Sequence, residues 1–200
     1  MTTAILLSGG MDSIAIAYWQ RPQFALTIDY GQLAAIRELS ISKKICAELG
    51  IEHHSLSINL KSLGSGDLVG TTTNEYAPAS DWWPYRNQML ITLAAMYGIK
   101  LGLSKILIGS VKSDEYHIDG SVVFINAMNQ LLSLQEGHIQ LIAPAIALTT
   151  TELILQHKVP IELLGWAHSC HKGDYACGHC RGCYKYFNVW NELHERGYGK

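Results

Sequence analysis

The sequence predicts an α/β chain built on a parallel, doubly wound sheet. Three observations carry that expectation. Short apolar runs bounded by turn residues alternate with stretches of helical spacing; the first run ends on a glycine-rich turn; and no internal repeat or low-complexity tract interrupts the alternation. In such a sheet ligands bind at the C-terminal ends of the strands.

Taken in order, AILL (Ala4–Leu7) is a short apolar run that stops at Ser8-Gly9-Gly10 and reads as a buried strand. SIAIAYWQ, from Ser13, opens a helix with Asp12 or Ser13 near its start. FALTID (Phe24–Asp29) is a second strand, and Ile36, Leu39, Ile41, Ile45, Cys46 and Leu49 then recur at roughly helical spacing up to Gly50. EHHSLSI (Glu52–Ile58) is a third strand, in which His53 and His54 read as structural. Residues 59–86 have no clear period, and a connection that long is usually functional or mobile. Trp82 and Trp83 within it either pack or stack on a flat base. A helix over Asn87–Gly102, a strand over Lys105–Ile108, a second loop over Gly109–Gly120 and a helix near Val122–Leu134 follow. IQLIAP (Ile139–Pro144) is a fifth strand, a short helix starts at Thr149 or Thr150, and a C-terminal helix spans about Tyr184–Arg196.

Composition excludes several classes. Of 200 residues 48% are hydrophobic and 16% charged, which is a globular balance rather than a disordered one. The formal net charge of −2 provides no general attraction to nucleic acid or anionic membrane. Met1-Thr2-Thr3 lacks the basic start of a secretory signal, and the longest charge-free apolar segment, Asn87–Ile99, is too short to cross a bilayer. Cytoplasmic residence is the default. In that reducing compartment five cysteines point to metal rather than disulfides.

LLSGGMDS (Leu6–Ser13) asks for more than a turn. A loop between the first strand and first helix aims backbone N–H groups at a positive helix end, which suits phosphate. Gly9 and Gly10 let an oxygen-rich ligand approach, Ser8 and Ser13 add hydroxyls, and Asp12 suits Mg2+ or a developing positive charge. The P-loop and G-x-G-x-x-G patterns are both absent. The alternative is a tight turn capped by serine. SGGMDS resembles the SGGxDS loop of the PP-loop ATP pyrophosphatases, of the adenine nucleotide alpha hydrolase-like fold. That resemblance implies ATP split to AMP and pyrophosphate, with the loop gripping the pyrophosphate.

SCHKGDYACGHCRGC places Cys170, Cys177, Cys180 and Cys183 as C-x6-C-x2-C-x2-C. Four thiolates so close suit a closed, structural Zn2+ site. His168, His171 and His179 are near enough to replace a cysteine, and the C-x2-C-x2-C run also resembles iron–sulfur spacing. Cys46 reads as a core residue. The expected organisation is an ATP-binding domain over 1–165 and a small metal-binding helical segment over 166–200.

Both motifs, with IDYGQ (Ile28–Gln32), YRNQMLITLAAMYG (Tyr85–Gly98) and IGSVKSDEY (Ile108–Tyr116), resemble the QueC (7-cyano-7-deazaguanine synthase) family over nearly the whole chain. The resemblance implies a homodimeric enzyme that adenylates 7-carboxy-7-deazaguanine with ATP and Mg2+. Ammonia then forms the amide, and a second ATP drives dehydration to the nitrile. Residue by residue it implies ATP phosphates held by Leu7, Ser8, Gly9, Gly10, Met11, Asp12 and Ser13, with Asp29 near the nucleotide. Tyr30, Gly31 and Gln32 then lie near the nucleotide or the ammonia site, Arg86 and Asn87 contact phosphate or the substrate, Asp114 and Asp119 face the deazaguanine or Mg2+, and Asp12, Ser13, Arg86 and Asp114 form the catalytic set. Read blandly, Arg86-Asn87 caps a helix and Asp119-Gly120 is a turn.

The chain departs from that family where an Arg-His pair and a glutamate usually follow Y-G-Q; Leu33, Ala34 and Arg37 stand there. Gly120 replaces a basic residue in a loop one residue short, and Thr150 stands where a lysine commonly opens the helix after strand five. These neutral positions favour, as alternatives, a divergent enzyme that stops at the amide or hands its adenylate to another acceptor, protein included. A tRNA-thiolating relative is disfavoured by the lack of a long basic region. A non-catalytic ATP-binding module that docks a partner completes the rivals.

Overall fold

Alternating strands and helices put β1 (Thr3–Leu6) at the centre of the sheet and β2 (Phe24–Asp29), β3 (Glu52–Ser57), β4 (Lys105–Leu107) and β5 (Gln140–Ile142) around it. The computed structural model describes residues 2–199, so Met1 and Lys200 lie outside it. The order is β3-β2-β1-β4-β5, and every pairing is parallel. Between them run α1 (Met11–Gln20), α2 (Ala35–Leu49), α3 (Arg86–Ile99), α4 (Val122–Ser133), α5 (Thr150–His157), α6 (Ile161–Leu164) and α7 (Arg181–Glu195).

The period-2 alternation of the strands builds two cores. Ile5, Leu7, Ala25 and Leu107 pack with Ile14 and Ile16 of α1, Ile41 and Ile45 of α2, Leu153 and Ile154 of α5, and Val189 and Leu193 of α7. Ala4, Leu26, Ile28 and Ile106 pack on the other side with Ile91 of α3 and Ile125, Met128 and Leu132 of α4. At its start α7 belongs to the cysteine segment; its later turns belong to the main core.

The elements fall where the periodicity puts them, with differences at their ends. α1 begins two residues earlier than Ser13, and its N-cap Gly10 provides no side-chain hydrogen bond. α7 begins three residues earlier than Tyr184 because the Cys180 sulfur accepts from the Cys183 amide at 3.4 Å and caps it. The four-residue α6, directly after Pro160, has too few turns for a periodic signal. Residues 59–85 hold only two short 3-10 turns, at 61–63 and 66–68.

Trp83 is buried and meets the Tyr30 ring edge-on, 4.9 Å between centroids, so it packs rather than waiting for a base. His53 and His54 pair with the Thr27 and Tyr97 hydroxyls at 2.9 and 3.1 Å and are structural, and Cys46 is a core residue. Among the described residues no helix is long and apolar enough to cross a membrane.

Candidate active site

The strand order reverses between β1 and β4, and a cleft of about 690 Å³ opens there. Its walls include Leu7, Ser8, Gly10, Asp12 and Ser13 from the first loop, Tyr30 after β2, Arg86 and Asn87 at the start of α3, and Asp114 and Asp119 after β4. Met11 lines a smaller adjoining pocket with Ser8, Gly10, Asp12 and Glu38.

The glycine loop is held from below. The Leu7 carbonyl accepts from the Thr27 and Ser42 hydroxyls at 2.7 and 3.1 Å, and the Gly9 carbonyl accepts from the His168 amide at 2.9 Å. Gly9 has φ +74, and a Cβ there would stand 3.1 Å from Ile41. Ser13 Oγ donates to the Gly10 carbonyl at 3.0 Å and lies 3.4 Å from Ser8 Oγ. The uncapped first turn of α1 therefore opens into the cleft beside two hydroxyls, an arrangement suited to phosphate oxygens.

Asp12 stands at the centre of a charged cluster that sequence reading did not find. Thr150 Oγ1 donates to its Oδ1 at 2.6 Å, and Lys185 Nζ donates to its Oδ2 at 2.8 Å and to Asp114 Oδ1 at 3.1 Å. Partial desolvation in the cleft opposes the Lys185 charge, but the Asp12 and Asp114 carboxylates outweigh it and keep the ammonium protonated. Asp114 Oδ2 accepts from the Val111 amide at 3.1 Å, which fixes the loop after β4. That loop folds back so tightly that a Cβ at Gly120 would lie 2.5 Å from the Asp114 carbonyl oxygen. A side chain at 120 would force that backbone apart, so this loop conformation requires the glycine that stands where a basic residue is usual.

Asn87 is held through its backbone amide to Asp119 Oδ2 at 3.1 Å and through Nδ2 to the Asp119 carbonyl at 2.9 Å. The two bind α3 to the β4 loop and leave Arg86 as the charged end of that helix. Burial opposes the Arg86 charge, but Tyr30, Asp119, Asp81 and Glu38 around it more than compensate. Burial also pushes the Tyr30 phenol up and lifts the Glu38 carboxyl to about 7.

Some expected residues stay out of the cleft lining. Asp29 accepts from the Gly31 amide at 3.0 Å and the Ser57 hydroxyl at 3.2 Å. Gln32 donates to the Ile28 carbonyl and Glu38, and accepts from the Tyr30 amide. Gly9 and Gly31 serve as turns, while Leu33 and Ala34 also lie outside it, so those replacements change no charge there. Thr150 and Gly120 do line it.

The four cysteine sulfurs all lie within 4.8 Å of one another, and Cys177–Cys183 and Cys170–Cys180 are each 4.0 Å apart. Around one tetrahedral zinc with Zn–S near 2.3 Å the sulfurs would stand about 3.8 Å apart. Backbone amides of Lys172 and Cys177 point at the Cys170 sulfur, and those of His171 and Cys183 at the Cys180 sulfur, at 3.4–3.5 Å. Such donors stabilise thiolate charge, so the set fits a metal ion. His168 and His179 bond to carbonyl oxygens, of Gly173 and Cys177, and His171 faces Asp81.

Over residues 2–194 the chain matches the family described as Queuosine biosynthesis protein QueC. It is 34% identical over 196 residues to 7-cyano-7-deazaguanine synthase 1 of Desulfitobacterium hafniense, covering 90% of this chain and 87% of that one. To the 7-cyano-7-deazaguanine synthase of Chlorobium chlorochromatii it is 32% identical over 206 residues, covering 92% and 88%. The fold is similar to that of a solved U34-tRNA thiolase, NcsA from Methanococcus maripaludis with its 4Fe-4S cluster, at a TM-score of 0.55 and 20% identity. That match covers 97% of this chain and 65% of the thiolase. From the match over nearly its whole length and from relatives a third identical, the chain belongs to the queuosine biosynthesis protein QueC family.

Proposed function

We propose that the chain converts 7-carboxy-7-deazaguanine and ammonia to 7-cyano-7-deazaguanine at the expense of ATP. One observation carries the reading: the uncapped glycine loop opens into the same cleft as Arg86, Asp114 and Asp119, at the switch point of the sheet. The family and the names of its relatives support the same activity.

A carboxylate is a poor electrophile, so its oxygen first displaces pyrophosphate from ATP and forms an acyl adenylate. Backbone N–H groups at the start of α1, with Ser8 and Ser13, take up the charge on the departing pyrophosphate. Ammonia attacks the acyl carbon, AMP leaves, and an amide results. The amide oxygen is adenylated in turn; loss of AMP and two N–H protons leaves the nitrile. Arg86, kept charged by its acidic neighbours, orients the carboxylate or phosphate, while Asp119 holds Asn87 and the wall behind it. Two loops bring the Asp12 and Asp114 carboxylates to one cationic centre, a charge environment that also suits the Mg2+ of a nucleotide. Mg2+ neutralises phosphate charge when bound.

The cysteine site holds Zn2+ in this reading and stiffens the segment over 166–200 against the domain over 1–165. A 4Fe-4S cluster places four sulfurs on four irons, wider apart than around one ion, and the 4.0 Å separations favour a single ion. The enzyme is read as a cytoplasmic homodimer. Incubation with ATP, Mg2+, 7-carboxy-7-deazaguanine and ammonium, followed by mass spectrometry, tests the reaction. Nitrile with AMP is expected; amide alone indicates a divergent enzyme, and no AMP with any acceptor removes the reading.

A further inference from the structure

Helix α7 starts at the cysteine site and its second turn carries Lys185 into the cleft. There the ammonium bridges Asp12 and Asp114, one from each loop flanking the switch point, with 38% of its side chain exposed. We propose that Lys185 is the phosphate-binding cation of this site, exchanging its two carboxylates for the pyrophosphate portion of the nucleotide. The inference rests on the adenylating reading above and deepens it.

The loop itself supplies N–H groups, hydroxyls and a helix dipole, all partial charges, whereas a leaving pyrophosphate carries several full ones. Among the described residues, the Lys and Arg side chains lining the cleft are Arg86, Arg181 and Lys185. Arg86 lies among Tyr30, Glu38, Asp81 and Asp119, and Arg181 reaches Asp81 at 3.3 Å. Lys185 alone of the three also lines the adjoining pocket, together with Ser8, Gly10 and Asp12.

Its present bonds are exchangeable. A lysine ammonium is a point charge with three donors on a flexible stem, and a partly exposed ion pair contributes little net free energy. Asp12 keeps its Thr150 hydrogen bond at 2.6 Å when the lysine leaves, so it remains positioned. Released from the ammonium, the Asp12 Oδ2 and Asp114 Oδ1 atoms become available to a cation that arrives with the phosphates.

The test is calorimetric titration of inorganic pyrophosphate with Mg2+ into the metal-loaded full chain. Lys185→Met should bind at least about tenfold more weakly than wild type, as expected for loss of a charge-assisted bond. Lys185→Arg should stay within a few-fold, and kcat should fall in Lys185→Met with little change in KM for 7-carboxy-7-deazaguanine. Lys185→Gln, which keeps donors for both carboxylates, replaces Lys185→Met if that chain fails to fold, with the same loss expected. Unaltered pyrophosphate affinity in a folded neutral variant overturns the proposal and makes the lysine a strut between loops. If wild type takes up no pyrophosphate, the adenylating reading falls as well.

Discussion

Two carboxylate clusters line the same cleft and are built differently. At the glycine loop, Asp12 and Asp114 share one lysine, and the three side chains are 17%, 34% and 38% exposed. At the other cluster a single carboxylate, Asp81, is 8% exposed and meets Arg181 at 3.3 Å, His171 at 3.5 Å and His117 at 3.9 Å. The first has surplus acid and access to solvent, so its pairing gives way to an arriving ligand. The second has surplus base around a buried acid, so it acts as a latch. It ties the 59–85 stretch to the cysteine segment, and Lys172 to Asp67 at 3.2 Å strengthens that tie.

The largest effect comes from a change that breaks both clusters together, since Lys185, Arg181, His171 and Lys172 all come from the cysteine segment. Cys180→Ser should lose bound metal, measured by elemental analysis, and lower Tm by on the order of 10 °C. An unchanged Tm removes the structural role of the site. Asp12→Ala strikes only the first cluster. AMP formation should fall by at least about 100-fold with Tm nearly unchanged, and undiminished turnover would take the loop out of the mechanism.

Asp81→Asn strikes only the latch. It should cost on the order of 1 kcal/mol in denaturant titrations, because the Arg181 guanidinium loses its charged partner and two imidazoles held neutral by burial face an amide instead of a carboxylate, and raise KM several-fold with kcat nearly held. A fall in kcat alone would show that the two clusters are not separate in function.

The smallest effect concerns Glu38, which lines the cleft and the adjoining pocket. Burial lifts its carboxyl to about 7, against the pull of Gln32 and Arg86 and with a push from Asp29. Between the ordinary glutamate value of about 4.5 and about 7 the folded chain keeps a proton the unfolded chain has lost. Stability therefore falls as pH rises through that window. Glu38→Gln removes the penalty, so the variant should gain on wild type by on the order of 1 kcal/mol between pH 5 and pH 8. A stability difference that does not vary with pH counts against the protonated glutamate.

What the sequence made legible is local. Five apolar runs, the glycines after the first of them and four cysteines within fourteen positions are each short-range signals, and each stands where spacing put it. Of the residues lining the cleft, Ser8, Gly10, Asp12, Ser13, Arg86 and Asp114 were legible through motif resemblance. The rest depends on pairings that no window contains: Lys185 lies 173 positions from Asp12, Thr150 lies 138 from it, and Arg181 lies 100 from Asp81. Nothing beside Lys185 distinguishes it from a lysine on the solvated face of a helix. Thr150 read as a lost charge, whereas its hydroxyl orients the acid and the positive charge comes from another helix. Asp29 and Gln32 show the converse, since the resemblance pointed to them and their side chains bond to the backbone around their own turn.

The distance along the chain between Asp12 and Lys185 has a bearing on how the protein is made. During translation the glycine loop leaves the ribosome well before the helix that bears its ammonium. The charge therefore reaches the loop with the same helix whose Val189 and Leu193 close the core beneath it.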